Sequence, residues 1–255
     1  MSKYIVGATA DIGVDRESQE DFIAYAELDD NNLLCIIADG TGSRENMPQP
    51  ASIVVTDIID NMKELWKEKD NEVFEDPCFY MKFCMNAANK ILGAFKLGNE
   101  EIYSGYAASI TCCFLTEDNH IFVSHSGNTR AYILREGRLN QLTRDMTEGM
   151  RLVDEGLITI EEYHVHSDRL KILDGLGMAL HPDIQSYSGL LRENDIIVLT
   201  TDGIHYAIQP EALATIVLES QDCYNASVNL IEASKNIVKY PDNMSAMIIC
   251  ENPEP

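Results

Sequence analysis

Three aspartates of this chain stand where predicted strands begin or end. An apolar run ends in Asp39, and a second apolar run leads through two threonines to Asp202. Asp242 stands just before a third strand-like segment. A carboxylate at the end of a buried strand is costly unless a cation meets it, and no basic residue adjoins any of the three. Oxygen ligands of this kind suit hard cations, so the pattern predicts a divalent metal site.

Each aspartate also has an ordinary structural explanation. Asp-Gly is the commonest hairpin-turn signal and Asp-Asn is frequent in loops, so any one of them alone is more often a turn than a ligand. Gly40, however, is followed by Thr-Gly-Ser-Arg and then by a predicted helix. The threefold occurrence favours the metal site, and a simple turn stays the alternative at each position.

The hydrophobic pattern predicts blocks of strands alternating with pairs of helices. Apolar residues fall on one helical face at about 49–69, 77–97, 210–219 and 225–239. Strands are predicted at 4–12, 22–28, 33–39, 107–115, 120–125, 130–135, 138–142, 184–187, 196–201 and 244–249. Strands joined by short turns, with helices inserted in pairs, predict antiparallel sheets with helices on their faces. The predicted fold class is therefore α+β, a layered sandwich.

Length and composition bound the kind of protein. The chain has 255 residues, 45% of them hydrophobic, and it contains no linker-like tract or fixed-period repeat, so one domain over residues 1–255 is expected. A formal net charge of −23 argues against a basic surface that binds nucleic acid or anionic membranes. The N-terminus does not resemble a signal peptide, and no apolar run is long enough to span a membrane. Seven cysteines without a Cys-x-x-Cys pair indicate reduced core residues, which predicts a cytoplasmic protein.

Six short motifs together resemble those of the metal-dependent protein phosphatases, the type 2C serine/threonine family, in its minimal bacterial form. The resemblance runs through about residues 5–251, with the order and spacing of the family. Any one motif is weak evidence, whereas six in order are strong. They are Arg16-Glu17-Ser18-Gln19-Glu20-Asp21, Asp39-Gly40-Thr41-Gly42, Ser126-Gly127-Asn128-Thr129-Arg130-Ala131-Tyr132, Leu142-Thr143-Arg144-Asp145, Thr201-Asp202-Gly203-Ile204 and Asp242-Asn243-Met244-Ser245.

The resemblance implies a four-layer α-β-β-α sandwich with two Mg²⁺ or Mn²⁺ ions at one edge. It assigns Asp39 to bridge both ions, with Asp202 and Asp242 completing one of them and the Gly40 carbonyl binding the other. Carboxylates, a backbone carbonyl and water are the ligands that such hard cations prefer. Two close ions can activate water for in-line attack on a phosphoryl group, with Asp39 and Asp202 as catalytic residues.

Further site residues come from the first motif. Glu20 and Asp21 are expected to contribute to the metal site, directly or through water. Arg16 is expected to bind the phosphate, because its planar guanidinium matches two phosphate oxygens. Asp11 or a neighbouring carboxylate is a candidate to hold this guanidinium, with an ordinary surface ion pair as the alternative.

The sequence departs from the family pattern at two site positions. Asn128 stands where many relatives have an aspartate that helps to hold a third, weaker metal, so a third ion is in doubt. We expect reduced turnover or altered metal dependence, and Asn128→Asp is expected to raise activity at high Mn²⁺. Thr41 replaces the usual His or Met, so no histidine at that position acts as an acid.

Residues 144–181 correspond to the variable flap of the family and are predicted to form short helices and loops. His164, His166 and His181 lie in or beside this segment. One of them is a candidate general acid, although a loop histidine without a catalytic role is the favoured interpretation. Residues 44–50 are predicted to be an ordinary loop before a helix.

The leading hypothesis is a metal-dependent phosphatase of phosphoserine and phosphothreonine proteins, with a cognate kinase or a separate partner for regulation. The alternative is a catalytically weak relative that binds phosphoproteins as a regulatory module. A metal-dependent phosphohydrolase of small molecules also remains open. The presence of Arg16, Asp39, Asp202 and Asp242 favours the phosphatase.

Overall fold

The central apolar run forms β3 (Asn32–Thr41), which is buried on both faces. The computed structural model describes residues 2–43, 47–68, 76–99, 101–237 and 242–253. In it β3 lies between β2 (Asp21–Asp29) and β4 (Ala107–Leu115). Its even-numbered apolar side chains join a core shared with helices, and its odd-numbered ones join a core shared with a second sheet. A strand covered on both faces must be apolar throughout, which explains the uninterrupted run.

The other strands are β1 (Tyr4–Asp11), β5 (His120–Ser126), β6 (Arg130–Arg135), β7 (Arg138–Gln141), β8 (Gln185–Leu190), β9 (Ile196–Thr200) and β10 (Met244–Glu251). Within the described residues the strands form two five-stranded sheets, ordered β2-β3-β4-β5-β8 and β1-β10-β9-β6-β7. Every pairing of neighbouring strands is antiparallel. The two sheets pack face to face around the core that includes Ile37, Val123 and Met247.

Two pairs of helices cover the outer faces of the two sheets. The helices of the described residues are α1 (Pro50–Lys67), α2 (Pro77–Lys96), α3 (Glu148–Asp154), α4 (Ile160–Tyr163), α5 (Asp202–His205), α6 (Pro210–Glu219) and α7 (Cys223–Lys235), with a 3₁₀ turn at Ser167–Leu170. The α1–α2 pair buries its apolar stripe on the sheet that contains β3. The α6–α7 pair buries its stripe on the sheet that contains β10. This arrangement confirms the predicted α+β class and the four-layer α-β-β-α sandwich.

Local signals explain where several helices begin. Helices α1, α2 and α6 each begin with proline, whose fixed φ suits the first helical turn. Asp76 caps α2, since its side chain accepts hydrogen bonds from the amides of Cys78 and Phe79. None of the helices within the described ranges is long and apolar enough to cross a membrane.

Several predicted boundaries differ from the observed ones. The strand predicted from residue 22 begins at Asp21, and the helix predicted at 225–239 is observed at Cys223–Lys235. The short helix α5, which follows β9 at once, was not predicted, because its Asp-Gly start has the signature of a turn. The predicted end of the first helix, Lys69, and part of the predicted 44–50 loop lie outside the described residues.

Candidate metal centre

One edge of the space between the two sheets collects the predicted carboxylates. Asp21 begins β2 and lies directly opposite Asp39, near the end of β3, in the antiparallel register. Asp202 follows β9, and Asp242 precedes β10, which pairs with β9. Each sheet therefore brings two of the four aspartates to the same edge of the space between the sheets, although the four residues come from distant parts of the chain.

Burial and neighbouring carboxylates destabilise the charged forms of Asp21, Asp39 and Asp202. Burial, followed by the charges of Asp202 and Asp242, raises the pKa of Asp21 to about 8. Burial and Asp242 raise the pKa of Asp202 to about 7. Burial and three of the neighbouring aspartates raise the pKa of Asp39 well above its ordinary value. A divalent cation among these groups would favour their ionised forms, which is the behaviour expected of a metal site.

The donor set fits hard divalent cations. Asp39, Asp202 and Asp242 each retain some exposed surface, and Asp202 and Asp242 line a cleft. Among the described residues, no three His, Cys, Asp or Glu side chains form a ready-made cluster for a single ion. Mg²⁺ in proteins commonly takes only one or two carboxylates and keeps several waters. The arrangement therefore suits ions that the protein holds through a few oxygens each, with water completing the coordination.

Asp21 and Glu20 occupy supporting positions. Asp21 is only 3% exposed, and its Oδ2 accepts a hydrogen bond from the Thr201 hydroxyl at 2.8 Å. The Glu20 carboxylate accepts a hydrogen bond from the Ser43 hydroxyl. The Gly40 amide donates to the Glu20 carbonyl at 3.1 Å, and a Cβ on Gly40 would lie 2.9 Å from the same oxygen. Glycine at this position thus permits the close approach of the two backbones beside the carboxylates.

Arg16 lies at the rim of the carboxylate group. Its guanidinium contacts Asp242 Oδ1 at 2.7 Å, and both side chains remain partly exposed. Asp11, which was one candidate to hold Arg16, instead contacts the Lys235 ammonium at 2.8 Å. That specific assignment was wrong, because β1 directs Asp11 toward α7, which covers this sheet. The neighbouring-carboxylate alternative is the one observed, with Asp242 as the partner.

Asn128 is fully buried and contacts the site directly. Its Nδ2 donates to Asp202 Oδ2 at 3.0 Å, and this hydrogen bond lowers the pKa of Asp202 against the effect of burial. Its Oδ1 is buried without a hydrogen-bond partner in the described part of the chain. The Asn128 side chain thus donates a hydrogen bond to the candidate ligand Asp202, whereas an aspartate at this position would repel Asp202. The preceding Gly127 has φ +105, and a Cβ there would lie 2.3 Å from Ser109 Oγ.

Asn243 has a structural role that the sequence pattern did not reveal. Its Oδ1 accepts from the Glu20 amide at 2.7 Å, and its Nδ2 donates to the carbonyls of Ile12 and Ser18 at 2.8 and 2.9 Å. These three bonds attach the loop that carries Arg16 to the start of β10. The Asp-Asn dipeptide was a signal for this position, but it does not indicate which backbone groups the amide contacts.

A buried ion pair joins the flap to the site. The Arg130 guanidinium donates to both Asp145 oxygens, at 2.8 and 2.6 Å. Tyr163 of the flap also donates to Asp145, and Tyr206 after α5 donates to the Arg169 carbonyl at 2.9 Å. The charged pair with its tyrosines thus connects β6, the flap and the helix that begins with Asp202. Arg130 and Asp145 stood in the motifs, but no role was predicted for either.

One of the three candidate histidines lines the same cleft as two of the carboxylates. His164 lines a cleft of about 420 Å³ that Asp202 and Asp242 also line. Burial and the charges of Arg130 and Arg169 lower the pKa of His164, which favours the neutral imidazole and weakens the case for a general acid. His166 caps the 3₁₀ turn, and neither it nor the exposed His181 lines the cleft. Thr41 is the exposed last residue of β3.

Comparisons with known proteins agree with this geometry. The family model described as "Protein phosphatase 2C" matches residues 14–233. The serine/threonine protein phosphatase PstP of Mycobacterium tuberculosis is 28% identical over 242 residues, covering 94% of this chain and 44% of PstP. The chain therefore spans less than half the length of this curated relative.

Solved structures share the fold over nearly the whole chain. The crystal structure of the M. tuberculosis phosphatase PstP/Ppp has a TM-score of 0.80 at 26% identity, covering 98% of this chain and 99% of that one. The catalytic domain of PstP in complex with two manganese ions has a TM-score of 0.77 at 24% identity, covering 96% and 97% of the two chains.

Proposed function

The chain belongs to the protein phosphatase 2C family, since the family model spans residues 14–233, and on this premise we propose that it is a Mg²⁺- or Mn²⁺-dependent serine/threonine phosphoprotein phosphatase. The observation that carries the proposal is that Asp39, Asp202 and Asp242 come together at one edge of the space between the two sheets, with Arg16 at the rim of this group. The two manganese ions in the PstP catalytic domain support the choice of cofactor.

The proposed roles follow from the donor atoms. Asp39, the Gly40 carbonyl, Asp202 and Asp242 would hold two ions, and Asp21 and Glu20 would support them directly or through water. When bound, such ions polarise phosphoryl oxygens and supply an activated water for in-line attack. As residues that would hold the ions in place, Asp39 and Asp202 are the proposed catalytic residues.

Arg16 binds the phosphate of the substrate. Its guanidinium is exposed and paired with Asp242 through one 2.7 Å contact, so donors remain for phosphate oxygens. Because an acidic protein would otherwise repel a phosphoprotein, the cationic Arg16 and the ions counter the net charge of −23 near the reacting group.

The proposal also includes the domain extent, the substrates, the opposing kinase and the cellular compartment. We assign one phosphatase domain to residues 1–255, with residues 144–181 as a flap-like insertion. The substrates are phosphoserine and phosphothreonine proteins, and a cognate kinase is the expected opposing partner. Seven cysteines, none in a disulfide within the described residues, support a reducing, cytoplasmic setting.

Phosphate release from a phosphothreonine peptide tests the proposal. We expect turnover with Mn²⁺, loss of turnover with chelator, and a loss of at least about 10³-fold in Asp202→Asn. Asp154→Asn, which removes an exposed flap carboxylate, is the matched control and should retain turnover. Folded protein that releases no phosphate from phosphopeptides or an aryl phosphate would contradict the enzyme proposal. Tight binding of phosphopeptides without turnover would instead favour the regulatory module.

Asn128 provides a separate test of metal number. Asn128→Asp removes the N–H that donates to Asp202 and places a further negative charge beside that carboxylate. We expect this variant to bind an additional Mn²⁺ per chain in metal analysis and to gain activity at high Mn²⁺. Unchanged metal stoichiometry, or lower activity at every Mn²⁺ concentration, would refute the interpretation of Asn128 as a residue that weakens a third metal site.

A further inference from the structure

A cleft of about 420 Å³ opens directly beside the candidate metal centre. Asp202 and Asp242 form part of its lining, so the cleft and the proposed phosphoryl site share two side chains. Residues 164–170 of the flap line one part of the cleft, and residues of α5, α6 and α7, together with Ile237 and Met244, line other parts. A substrate held at the metal centre therefore has the cleft immediately next to its phosphorylated residue.

Most side chains that line the cleft away from the two aspartates are apolar. Ile208 and Met244 are buried, whereas Val165 is 81% exposed and Ile237 is 48% exposed. Exposed aliphatic side chains on facing walls gain stability when an apolar group fills the space between them. A cavity of this size accommodates an amino-acid side chain and part of its backbone.

The charges around the cleft disfavour a basic occupant. The Arg169 guanidinium lies over the Tyr206 ring at 4.7 Å and would repel a lysine or arginine side chain. Asp202 and Asp242 also line the cleft, but in the proposed site they are engaged by ions and do not pair with a basic side chain. A neutral apolar side chain avoids the repulsion by Arg169.

We propose that this cleft binds an apolar side chain adjacent to the phosphorylated residue of a protein substrate. The inference rests on the proposed phosphatase function and adds a substrate class to it. Consecutive Cα atoms are about 3.8 Å apart, so a residue next to the phosphothreonine reaches a cleft that shares two side chains with the metal centre. Small phosphate esters have no such side chain and gain nothing from the cleft.

A set of matched phosphothreonine peptides tests the proposal. Peptides with leucine or phenylalanine on either side of the phosphothreonine are compared with peptides that carry serine there, and an aryl phosphate is the reference. We expect kcat/KM to be about 10–100-fold higher for the apolar peptide on at least one side. Equal kcat/KM for all peptides, with the aryl phosphate still hydrolysed, would overturn the proposal and leave the phosphatase function intact.

Filling the cleft gives the second arm of the test. Ala212 is an exposed lining residue at the start of α6, so Ala212→Trp places a ring in the cleft without disturbing the core. Leu218→Trp is the matched control, because Leu218 is exposed on the same helix but does not line the cleft. We expect Ala212→Trp to reduce the preference for the apolar peptide to about twofold or less and to leave aryl phosphate turnover unchanged. An equal loss of aryl phosphate turnover would contradict the proposed subsite.

A binding measurement separates the two proposals. Val165→Ser reduces the apolar wall without adding bulk and serves if Ala212→Trp does not fold. Fluorescence binding of the same peptides needs no turnover, and the apolar peptide should bind about 10-fold more tightly to wild type than to Val165→Ser. If no substrate is hydrolysed but this difference is found, the phosphatase function fails and the cleft assignment stands. If the apolar peptide binds wild type and Val165→Ser equally, the cleft assignment fails.

Discussion

Two buried histidines are held in their neutral form by the fold. Burial and the Arg130 charge lower the pKa of His205 well below its ordinary value, and burial also lowers the pKa of His125. His205 Nδ1 forms a hydrogen bond with the Thr200 hydroxyl at 2.8 Å, while its Nε2 has no partner in the described part of the chain. Protonation therefore adds a buried charge with little to compensate it.

Stability should depend on pH through His205. The unfolded chain takes up a proton at this histidine near its ordinary pKa of about 6.5, whereas the folded chain does so only at lower pH. The unfolded state thus binds more protons as pH falls below about 6.5, and the folded state loses stability in that window. We expect the stability advantage of wild type over His205→Asn near pH 8 to shrink by up to about 1.4 kcal/mol per pH unit below pH 6.5.

Urea unfolding of both proteins between about pH 8 and pH 5, with chelator present, measures this difference. The raised pKa values of the site carboxylates have the opposite effect in the same pH range, since they stabilise the folded state as pH falls. This contribution is common to both proteins and cancels when their stabilities are compared. His181→Asn, which changes an exposed histidine, is the control for loss of an imidazole. A constant difference between wild type and His205→Asn would show that His205 is not held neutral.

At the scale of elements, the metal centre depends on how the loop before β2 is attached. Asn243 forms three hydrogen bonds to that loop, and the loop carries Arg16 and Glu20. The attachment joins the start of β10 to the start of β2, which belong to different sheets. Together with the hydrogen bond from Thr201 to Asp21, this amide side chain therefore helps to fix the relative position of the two halves of the site.

Removing that amide should affect both stability and turnover. Asn243→Ala leaves three backbone groups without their partner, so we expect a loss of about 2–3 kcal/mol of unfolding free energy. We also expect kcat to fall by about 10-fold or more, because Arg16 is no longer held in place. Asn236→Ala removes a 2.8 Å hydrogen bond from an asparagine at the end of α7 and is the control for amide loss. Equal behaviour of the two variants in urea unfolding and phosphate release would contradict this role.

Helix α5 packs against the same turn through a glycine. A Cβ on Gly203 would lie 2.1 Å from the Asn243 carbonyl oxygen, so alanine there forces α5 away from the Asp242 turn. We expect Gly203→Ala to lower the unfolding free energy by about 1–3 kcal/mol and to reduce phosphate release.

Gly93 is the matched control for that substitution. It lies within α2, and a Cβ there would meet no described atom within 4 Å. Gly93→Ala should raise stability by about 0.5–1 kcal/mol, because alanine favours the helix more than glycine does. Thermal and urea unfolding should therefore move in opposite directions for the two variants, and movement in the same direction would refute the packing argument.

At the scale of the whole molecule, the net charge of −23 opposes the folded state. Self-repulsion weakens when salt shortens the screening length from about 30 Å at about 0.01 M to about 8 Å at about 0.15 M. We expect the Tm to rise over this range of NaCl. At matched ionic strength, Mn²⁺ should raise the Tm further, because it binds the folded carboxylate site.

Asp39→Asn separates the general effect of salt from the specific effect of the ion. This variant should keep the NaCl-dependent rise in Tm and lose most of the Mn²⁺-dependent rise. A Tm that does not respond to NaCl would contradict the self-repulsion argument. A full Mn²⁺ response in Asp39→Asn would contradict the proposed ligand set.

Much of the architecture could be predicted because local patterns carry it. The continuous apolar run of β3 and the apolar stripes of α1 and α2, which repeat every 3.6 residues, are both patterns of neighbouring residues. Both were therefore evident in the sequence. The confirmed four-layer order required the family resemblance in addition to the periodicities. Short elements such as α5 were missed because a four-residue helix and a turn share the same residues at their start.

The sequence by itself determined which residues are available for chemistry, namely the carboxylates at strand ends, Arg16 and the amide at Asn128. The tertiary structure alone decided their contacts: Arg16 with Asp242, Asn128 with Asp202, and Asn243 with the loop before β2. The physical reason is range. Periodicity and turn chemistry act between residues a few positions apart, whereas these contacts join residues brought together only when two sheets pack face to face.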